Sequence, residues 1–259
     1  MILPYKGINI FYTDDGKGIT IVLLHGFLEN LTMWNPFIPE LSKNNRIVCI
    51  DLLGHGKTDC LGYLHTMEVM ADAVNAVLSH LKIGKSTIIG HSMGGYVALA
   101  FAEKYPKEIE GICLMNSTAS ADTLERQTNR DRAILTVKQN HKTFVRIAIV
   151  NLFRPKNKRI FSEEIKYVKK EGLNTPIQGI IAALEGMKIR KDRWQIFKNG
   201  SFRKFMIISK KDPVLDYTTL INESKNSDID IVEFPDGHMS HIENKELFLQ
   251  SILYFIDFL

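Results

Sequence analysis

The sequence predicts an α/β fold: a doubly wound, mostly parallel sheet with helices on both faces. Apolar runs such as Ile19–Leu24 and Ile109–Met115 show little alternation, which is typical of strands buried on both faces. Stretches of helical period separate these runs, so strands and helices alternate along the chain. Such alternation favours βαβ units, and therefore a parallel sheet, over a sandwich or a helix bundle.

The elements can be assigned in order from periodicity and turn residues. Strands are predicted at 7–13, 19–24, 46–50, 86–89, 109–115, 205–208 and 230–234. Helices are predicted near 34–42, over 66–81 and 96–102, near 217–225 and over 245–258. The residues 14–16, Asp-Asp-Gly, are expected to form a turn that ends the first strand.

Residues 118–200 differ from the rest of the chain in charge and in periodicity. They hold 18 Lys/Arg and 8 Asp/Glu, whereas the remainder holds 15 and 21. Every periodic stretch within them is helical, and strands resume only after them. We therefore predict a helical cap, the cap segment, inserted at 118–200 into a core formed by 1–117 and 201–259. Its positive charge could attract an anionic substrate, but a charge run is more often a solvated face.

The chain is organised around the pattern Gly90-His91-Ser92-Met93-Gly94, which lies between a predicted strand and a predicted helix. G-x-S-x-G in this context is a nucleophile elbow, with the serine hydroxyl exposed at the tip of a tight turn. Glycine is required where a Cβ would meet the neighbouring strand or helix. The alternative interpretation is an ordinary glycine-rich turn with a structural serine.

A serine nucleophile needs a base, and a histidine base needs a carboxylate that fixes its tautomer. In a doubly wound sheet these groups belong at the carboxyl ends of strands. Asp212 follows strand 205–208 and is the predicted acid. Asp216 is the alternative acid, in which case Asp212 could be a turn or N-cap residue. His238 follows strand 230–234 and is the predicted base, whereas His241 is expected at a helix start or on the surface.

Two backbone N–H groups are expected to form an oxyanion hole. One is that of Met93, directly after the serine, and the other is that of Phe27, in the loop after strand 19–24. We expect His55 and His91 to hydrogen-bond the backbone. No metal site and no cofactor are predicted, because no cluster has metal-ligand spacing and no glycine loop matches a phosphate-binding pattern.

The composition indicates in which compartment the protein acts and with what kind of partner. Cys49, Cys60 and Cys113 are too few and too scattered for a disulfide framework. Cys49 and Cys113 lie inside apolar runs, so we expect these two to be reduced core residues. The N-terminal residues lack signal-peptide features, and no apolar run of membrane-spanning length occurs. We expect a cytoplasmic protein that acts on a small molecule, without nucleic acid or a membrane span. The sequence does not indicate an oligomeric state.

Several motifs together resemble those of a known family. They are His25-Gly26-Phe27, the stretch 51–58 (Asp-Leu-Leu-Gly-His-Gly-Lys-Thr), the stretch 90–95, Asp212 and Gly237-His238. This set resembles the α/β-hydrolase superfamily, in particular its serine-nucleophile, esterase-like branch with a helical cap. The resemblance covers nearly the whole chain and implies an eight-stranded sheet, a pocket between cap and sheet, no cofactor, and a triad at Ser92, Asp212 and His238.

In two positions the sequence differs from other branches of this superfamily, and these differences restrict the reactions we expect. The dehalogenases and epoxide hydrolases of this superfamily use an aspartate nucleophile, and here Ser92 stands at that position. The His-Gly-Gly-Gly pattern of one lipase branch is absent, since Phe27 follows Gly26. We expect hydrolysis of an ester or related acyl bond in a small to medium apolar substrate. The alternatives are a C–C bond hydrolase, a thioesterase, a cofactor-free lyase and a ligand receptor on the same fold.

Overall fold

The sheet of the computed structural model, which describes residues 1–225 and 227–258, has eight strands. They are β1 (Ile2–Tyr5), β2 (Ile8–Gly16), β3 (Ile19–Leu24), β4 (Asn45–Ile50), β5 (Ser86–His91), β6 (Ile109–Met115), β7 (Arg203–Ser209) and β8 (Asp230–Phe234). Their order is β1-β2-β4-β3-β5-β6-β7-β8. The strands β3 to β8 pair in parallel, and only the β1–β2 and β2–β4 pairs are antiparallel. The predicted fold class is confirmed.

Ten α-helices are described, several of them short. They are α1 (Ile38–Leu41), α2 (Met67–His80), α3 (Met93–Lys104), α4 (Leu124–Val150), α5 (Ser162–Gly172), α6 (Ile177–Lys188), α7 (Trp194–Asn199), α8 (Tyr217–Ser224), α9 (Ser240–Glu243) and α10 (Lys245–Asp257). The helices α4 to α7 follow one another between β6 and β7 with no described strand among them. The long helix α4 is broken at Asn140, whose φ and ψ are −156° and 82°.

Two expectations near the N-terminus were wrong. No turn ends β2 at 14–16, because Asp14 to Gly16 continue the strand and pair with β4 from Val48 to Arg46. The chain instead bends just after β2, at Lys17-Gly18, before β3 begins. A separate turn at Lys6-Gly7, where both residues have positive φ, connects β1 to β2, and β1 is a strand that the sequence did not predict. The helix expected near 34–42 is a 3-10 turn at Leu31–Trp34 followed by the single turn α1.

The helix over 66–81 forms as predicted, because its first turn is capped and one face is apolar. The Thr66 hydroxyl accepts a hydrogen bond from Val69 N, which satisfies one of the free N–H groups at the helix start. Met67, Met70 and Val74 are completely buried. Loss of such a cap typically costs about 1 kcal/mol.

The two faces of the sheet belong to two separate apolar clusters, as a doubly wound sheet requires. Along β3, Val22 and Leu24 join one cluster, while Ile21 and Leu23 join the other. Burying each such side chain contributes about 1.5–3 kcal/mol. Cys113 lies in the core as a free thiol, as expected. Among residues 1–225 and 227–258, no helix combines the length and apolar character needed to cross a membrane.

Candidate active site

Ser92 stands at the turn between β5 and α3, in a strained backbone conformation. Its φ and ψ are 49° and −113°, a region that residues with a side chain rarely adopt. The neighbouring strand holds this conformation, since Ser92 N donates to Met115 O at 2.9 Å. The Ser117 hydroxyl donates to Ser92 O at 2.7 Å. Such strain at a strand-to-helix turn is typical of a nucleophile elbow.

The glycines of the elbow are required by close backbone contacts, as predicted. A Cβ on Gly90 would collide with the backbone of Gly94 and Gly95 in the first turn of α3. A Cβ on Gly94 would collide with the carbonyl of Leu24 at the end of β3. The turn can therefore be this tight only with glycine on both sides of Ser92.

The histidine and the aspartate selected from the sequence are joined by a buried hydrogen bond. His238 Nδ1 lies 2.8 Å from Asp212 Oδ2, and both side chains are 2% exposed. Because a carboxylate only accepts, the Nδ1 atom carries the hydrogen, which leaves Nε2 free to accept a proton from another group. Asp212 Oδ1 also accepts from Val214 N at 2.8 Å and Leu215 N at 3.1 Å.

These contacts keep Asp212 ionised. Burial would raise the pKa of the Asp212 carboxyl, but the hydrogen bonds from His238, Val214 N and Asn116 lower that pKa below its usual value. The alternative acid, Asp216, has a different role: it is the N-cap of α8 and accepts from Thr219 N at 2.7 Å.

Asn116 completes this network, and the sequence analysis did not select it. Its Nδ2 donates to Asp212 Oδ2 at 3.0 Å and to Ser209 Oγ at 2.8 Å. Its Oδ1 accepts from the Ser240 hydroxyl at 2.5 Å. Asn116 has a positive φ of 43° and directly follows β6. Its place at the carboxyl end of a central strand is the signal that could have identified it.

The loop that carries His238 is bonded to the cap segment. His238 N donates to Leu152 O at 3.0 Å, and Arg154 Nη1 lies 2.8 Å from Asp236 Oδ1. A Cβ on Gly237 would collide with Arg154 N, so glycine permits this close approach. The position of the imidazole therefore depends on the cap segment as well as on the core.

Ser92 and His238 line the same cavity, of about 100 Å³, between the core and the cap segment. No hydrogen bond joins Ser92 Oγ to His238 within the described part of the chain; such bonds are often long before substrate is present. The core contributes Phe27, Leu28, Glu29, His91, Tyr96 and Val214 as well, and the cap segment contributes Arg126, Arg130, Ala148, Leu152 and Met187. We call this space the Ser92 cavity.

The loop after β3 lies beside Ser92, and hydrogen bonds of the buried His25 side chain hold it in place. Phe27 and Met93 carry the two N–H groups predicted for the oxyanion hole. Phe27 lines the Ser92 cavity, and Met93 is the first residue of α3, where the N–H groups of a helix have no partners within the helix. His25 Nδ1 faces Gly26 O at 2.7 Å, while His25 Nε2 accepts from Leu52 N at 2.9 Å. The imidazole is therefore neutral with its hydrogen on Nδ1, and burial lowers its pKa.

A buried ion pair lies directly behind the His238 backbone. His91 Nδ1 is 2.6 Å from Glu29 Oε2, and His91 Nε2 is 3.0 Å from His238 O. Both partners only accept, so both nitrogens carry hydrogen and His91 is an imidazolium. Burial opposes this charge, but Glu29 raises the pKa of His91, and His91 holds the pKa of Glu29 at about 2. The hydrogen bond to His238 O is the backbone bond expected for His91, and its bond to the Glu29 carboxylate is additional.

Glu29, His91 and His241 form the one group of potential metal ligands found among the described residues, with their donor atoms within 4.8 Å of one another. His241 lies in the first turn of α9, as expected for a residue at a helix start, and it is buried, with 5% of its surface exposed. Glu29 Oε2 and His91 Nδ1 are separated by 2.6 Å, which is shorter than the roughly 3.3 Å between ligands of a tetrahedral zinc ion. The geometry is thus that of an ion pair.

Removal of the Glu29 charge should destabilise the fold. In Glu29→Gln the buried His91 either stays charged without a carboxylate, or becomes neutral and accepts from the new NH₂, which leaves Gly26 N, now bonded to Glu29 Oε2 at 2.9 Å, without that acceptor. We expect the free energy of unfolding to fall by about 3–5 kcal/mol at pH 7, measured by urea denaturation. Because the pKa of Glu29 is lowered on folding, this difference should shrink as the pH falls through the window below its unfolded value.

The control for Glu29→Gln is Glu40→Gln. Glu40 also pairs with a cation, Lys43, but both side chains are largely exposed. An exposed pair contributes at most about 1 kcal/mol, so this variant should unfold nearly like the wild type. Equal effects of the two substitutions would contradict the buried ion pair.

Three arginines of the cap segment share one carboxylate near the Ser92 cavity. Asp122 is 2.5 Å from Arg130 Nε, 2.5 Å from Arg190 Nη1 and 3.4 Å from Arg126 Nε. Within the described residues these arginines have no other acidic partner, so the group is positively charged overall. Arg126 and Arg130 line the Ser92 cavity, which therefore has a cationic wall.

The chain belongs to the α/β-hydrolase fold family, whose model matches residues 19–245. Together with the geometry above and the esterase relative below, that membership supports a hydrolase enzyme. An esterase from Thermogutta terrifontis has the same fold, with a TM-score of 0.91 and 29% identity over 99% of this chain and 96% of that one.

Proteins of similar sequence are named for different reactions. The chain is 27% identical to a putative 2-succinyl-6-hydroxy-2,4-cyclohexadiene-1-carboxylate synthase of Bacillus subtilis, over 96% of this chain and 95% of that protein. It is 25% identical to the dihydrolipoyllysine-residue acetyltransferase component of an acetoin cleaving system of Pseudomonas putida. The chain spans 64% of the length of that component, and 30% of an uncharacterized Mycobacterium tuberculosis protein that it also matches.

Proposed function

We propose that this protein is a serine hydrolase that cleaves a carboxylic ester or a related acyl bond. The observation that carries the proposal is the hydrogen bond between His238 and Asp212, in a cavity whose wall also holds the strained Ser92. In this arrangement Ser92 and His238 border the same small space. Acyl transfer needs a nucleophile, a base and a carboxylate in this relation.

The proposed reaction has two halves. His238 takes the proton from Ser92 as the hydroxyl attacks the acyl carbon, and the N–H groups of Met93 and Phe27 stabilise the oxyanion. The imidazolium then protonates the leaving alcohol, and an acyl-enzyme remains on Ser92. Water, activated by the same imidazole, releases the acid, while Asp212 stabilises the charged ring throughout. Each oxyanion donor contributes roughly 3 kcal/mol to transition-state stability.

The cap segment is proposed to act as the roof of the site. Ala148, Leu152 and Met187 give the Ser92 cavity an apolar wall on the cap side. The cavity of about 100 Å³ is small compared with ligand pockets of roughly 300–1,000 Å³. We therefore propose a short acyl group as the part of the substrate that binds next to Ser92.

Burst kinetics test the proposal. With p-nitrophenyl acetate in excess, release of p-nitrophenolate should begin with a burst of one equivalent per protein, because acylation precedes a slower hydrolysis. The released product is followed by stopped-flow absorbance. A protein that binds the ester without any turnover would instead support the receptor alternative.

The cationic wall modifies the expectation of a purely apolar substrate. Arg126 and Arg130 share Asp122 with Arg190, so their charge is only partly compensated. A carboxylate on the acyl side of the substrate could bind there through charge-assisted hydrogen bonds. We propose that the enzyme prefers an anionic ester over a neutral ester of the same length.

The double variant Arg126→Gln/Arg130→Gln tests this preference. Its KM for the p-nitrophenyl monoester of succinic acid should rise about 10- to 100-fold, the equivalent of losing one charged hydrogen bond of about 1.5–3 kcal/mol. The matched control substrate is p-nitrophenyl butyrate, whose KM should not change. Parallel changes in KM for both esters would contradict a carboxylate site.

A second candidate is a cofactor-free lyase that uses the same three side chains. The nearly full-length relative from Bacillus subtilis, a putative synthase, favours it. In such a reaction Ser92 would abstract a proton, with His238 as its partner, and no acyl-enzyme would form. The absence of a burst, combined with loss of activity on substitution of Ser92, would favour this candidate over the hydrolase.

A further inference from the structure

A second cavity, larger than the Ser92 cavity, lies between the loop after β3, helix α5 and the start of α10. Its volume is about 410 Å³, within the roughly 300–1,000 Å³ typical of small-molecule sites. It shares only Glu29 with the Ser92 cavity, so it is a separate space. Nothing in the proposed reaction uses it.

The walls of the second cavity are mainly apolar. Side chains from three parts of the chain contribute: Met33, Pro36, Phe37, Val168 and Ile242. Phe37 is 1% exposed, so this wall is part of the core. Such a surface favours the hydrocarbon part of a ligand.

The charged residues around this cavity are mostly acidic. Four carboxylates line it, those of Glu29, Glu163, Glu164 and Glu171, together with the ammonium of Lys245. Glu29 is paired with His91 and Glu163 with Lys166, so these groups leave an excess of one negative charge. This balance is opposite to that of the whole protein, which has a formal net charge of +4. The local field therefore favours a cation over an anion.

Two residues that line the cavity, Glu29 and His241, each carry a buried polar atom without a partner. Glu29 Oε1 and His241 Nδ1 are buried and make no hydrogen bond, and each residue is 5% exposed. His241 Nε2 is 3.7 Å from Glu29 Oε1, too far for a hydrogen bond. A carboxylate oxygen can only accept, so Glu29 lacks a donor. Burial lowers the pKa of His241 to about 3, so its neutral ring also offers an acceptor nitrogen.

We propose that the second cavity binds a small primary ammonium carried on an apolar chain or ring. An ammonium has three N–H donors, enough to reach both unpartnered acceptors. Its apolar body would lie against Met33, Phe37 and Val168, while Glu163 and Glu164 at the start of α5 attract its charge. An alcohol has one donor and no charge, and a carboxylate would be repelled.

Calorimetric titration of the full chain tests this with three probes of equal length: n-hexylammonium, 1-hexanol and hexanoate. We expect hexylammonium to saturate one site, about tenfold or more tighter than hexanol, with no binding of hexanoate. Equal affinities for hexylammonium and hexanol would overturn the proposal, because the cavity would then be merely apolar. Tighter binding of hexanoate, or no saturable binding, would overturn it as well.

Two tryptophan variants assign the binding to one cavity. Met33→Trp fills the second cavity from a half-buried position and should abolish binding of hexylammonium. Ala148→Trp, also half-buried, fills the Ser92 cavity and should leave that binding unchanged. The reverse outcome would overturn the assignment.

A charge variant and a crystal structure complete the test. Glu163→Gln/Glu164→Gln changes only exposed side chains, so it should fold normally while weakening hexylammonium binding several-fold. A crystal structure of the complex should place the ammonium nitrogen within hydrogen-bond distance of Glu29 Oε1. A probe found elsewhere, or an unchanged affinity in the charge variant, would contradict the proposal.

Discussion

Ser92→Ala should lower kcat for p-nitrophenyl acetate by a factor on the order of 10⁶. The substitution removes the only atom proposed to form the acyl-enzyme, and neither His238 nor the oxyanion donors can replace it. A small residual rate should remain, because binding and oxyanion stabilisation survive without the nucleophile. The measurement is the steady-state rate with a purified variant whose melting temperature is compared with that of the wild type.

Ser201→Ala is the matched control for this loss. Ser201 is exposed, is the first core residue after the cap segment, and does not line the Ser92 cavity. Its rate should equal that of the wild type. Retention of more than a few per cent of wild-type activity in Ser92→Ala would contradict the assignment of Ser92 as nucleophile.

Asp212→Asn should lower kcat by about 10⁴-fold with little change in the size of the side chain. The asparagine can turn its NH₂ toward His238 Nδ1, which places the ring hydrogen on Nε2 and leaves no base facing Ser92. Asn116 also donates to this carboxylate, at 3.0 Å, so its orientation is fixed from two sides. Stopped-flow measurement of the acylation rate isolates the step in which the base acts.

Asp216→Asn distinguishes the two aspartates of this loop. Asp216 caps α8 through Thr219 N and makes no hydrogen bond to His238 among the described contacts. Asparagine is an equally good N-cap, so neither stability nor kcat should change by more than a small factor. A large loss of kcat in Asp216→Asn, with near-normal activity in Asp212→Asn, would reverse the assignment.

The features foreseen from the sequence are those determined by local residues. The elbow was predictable because G-x-S-x-G requires its strand, its turn and its helix within a short stretch, and the collisions at Gly90 and Gly94 explain why. Asp212 and His238 were predictable because each directly follows an apolar run, and parallel strands bring such ends to one edge. Their hydrogen bond follows from that placement.

The features missed depend on contacts between distant parts of the chain. Glu29 and His91 are 62 positions apart, and nothing in the spacing indicates that a buried imidazolium joins them behind His238. The group of arginines around Asp122 likewise forms only when the helices of the cap segment fold together. The excess of lysine and arginine in the sequence indicates a basic segment, but composition does not indicate that Arg126 and Arg130 line the Ser92 cavity.

The β1 strand was missed for a different reason. Its residues are half exposed at the edge of the sheet, so the stretch from Ile2 to Tyr5 lacks the apolar continuity of a central strand. The error at 14–16 has a related cause: Asp-Asp-Gly has the composition of a turn, yet Asp14 pairs with Arg46 on the neighbouring strand at 2.7 Å. Pairing between strands overrode local preference there.

Covalent labelling tests the assignment of the nucleophile most directly. The intact protein is treated with a fluorophosphonate, and peptide mass spectrometry locates the adduct. We predict one equivalent of phosphonate on the peptide that contains Ser92, and strongly reduced labelling in His238→Ala, because the hydroxyl then lacks its base. Stoichiometric labelling of another residue, or none at Ser92 in an active enzyme, would contradict the proposed acyl-enzyme mechanism.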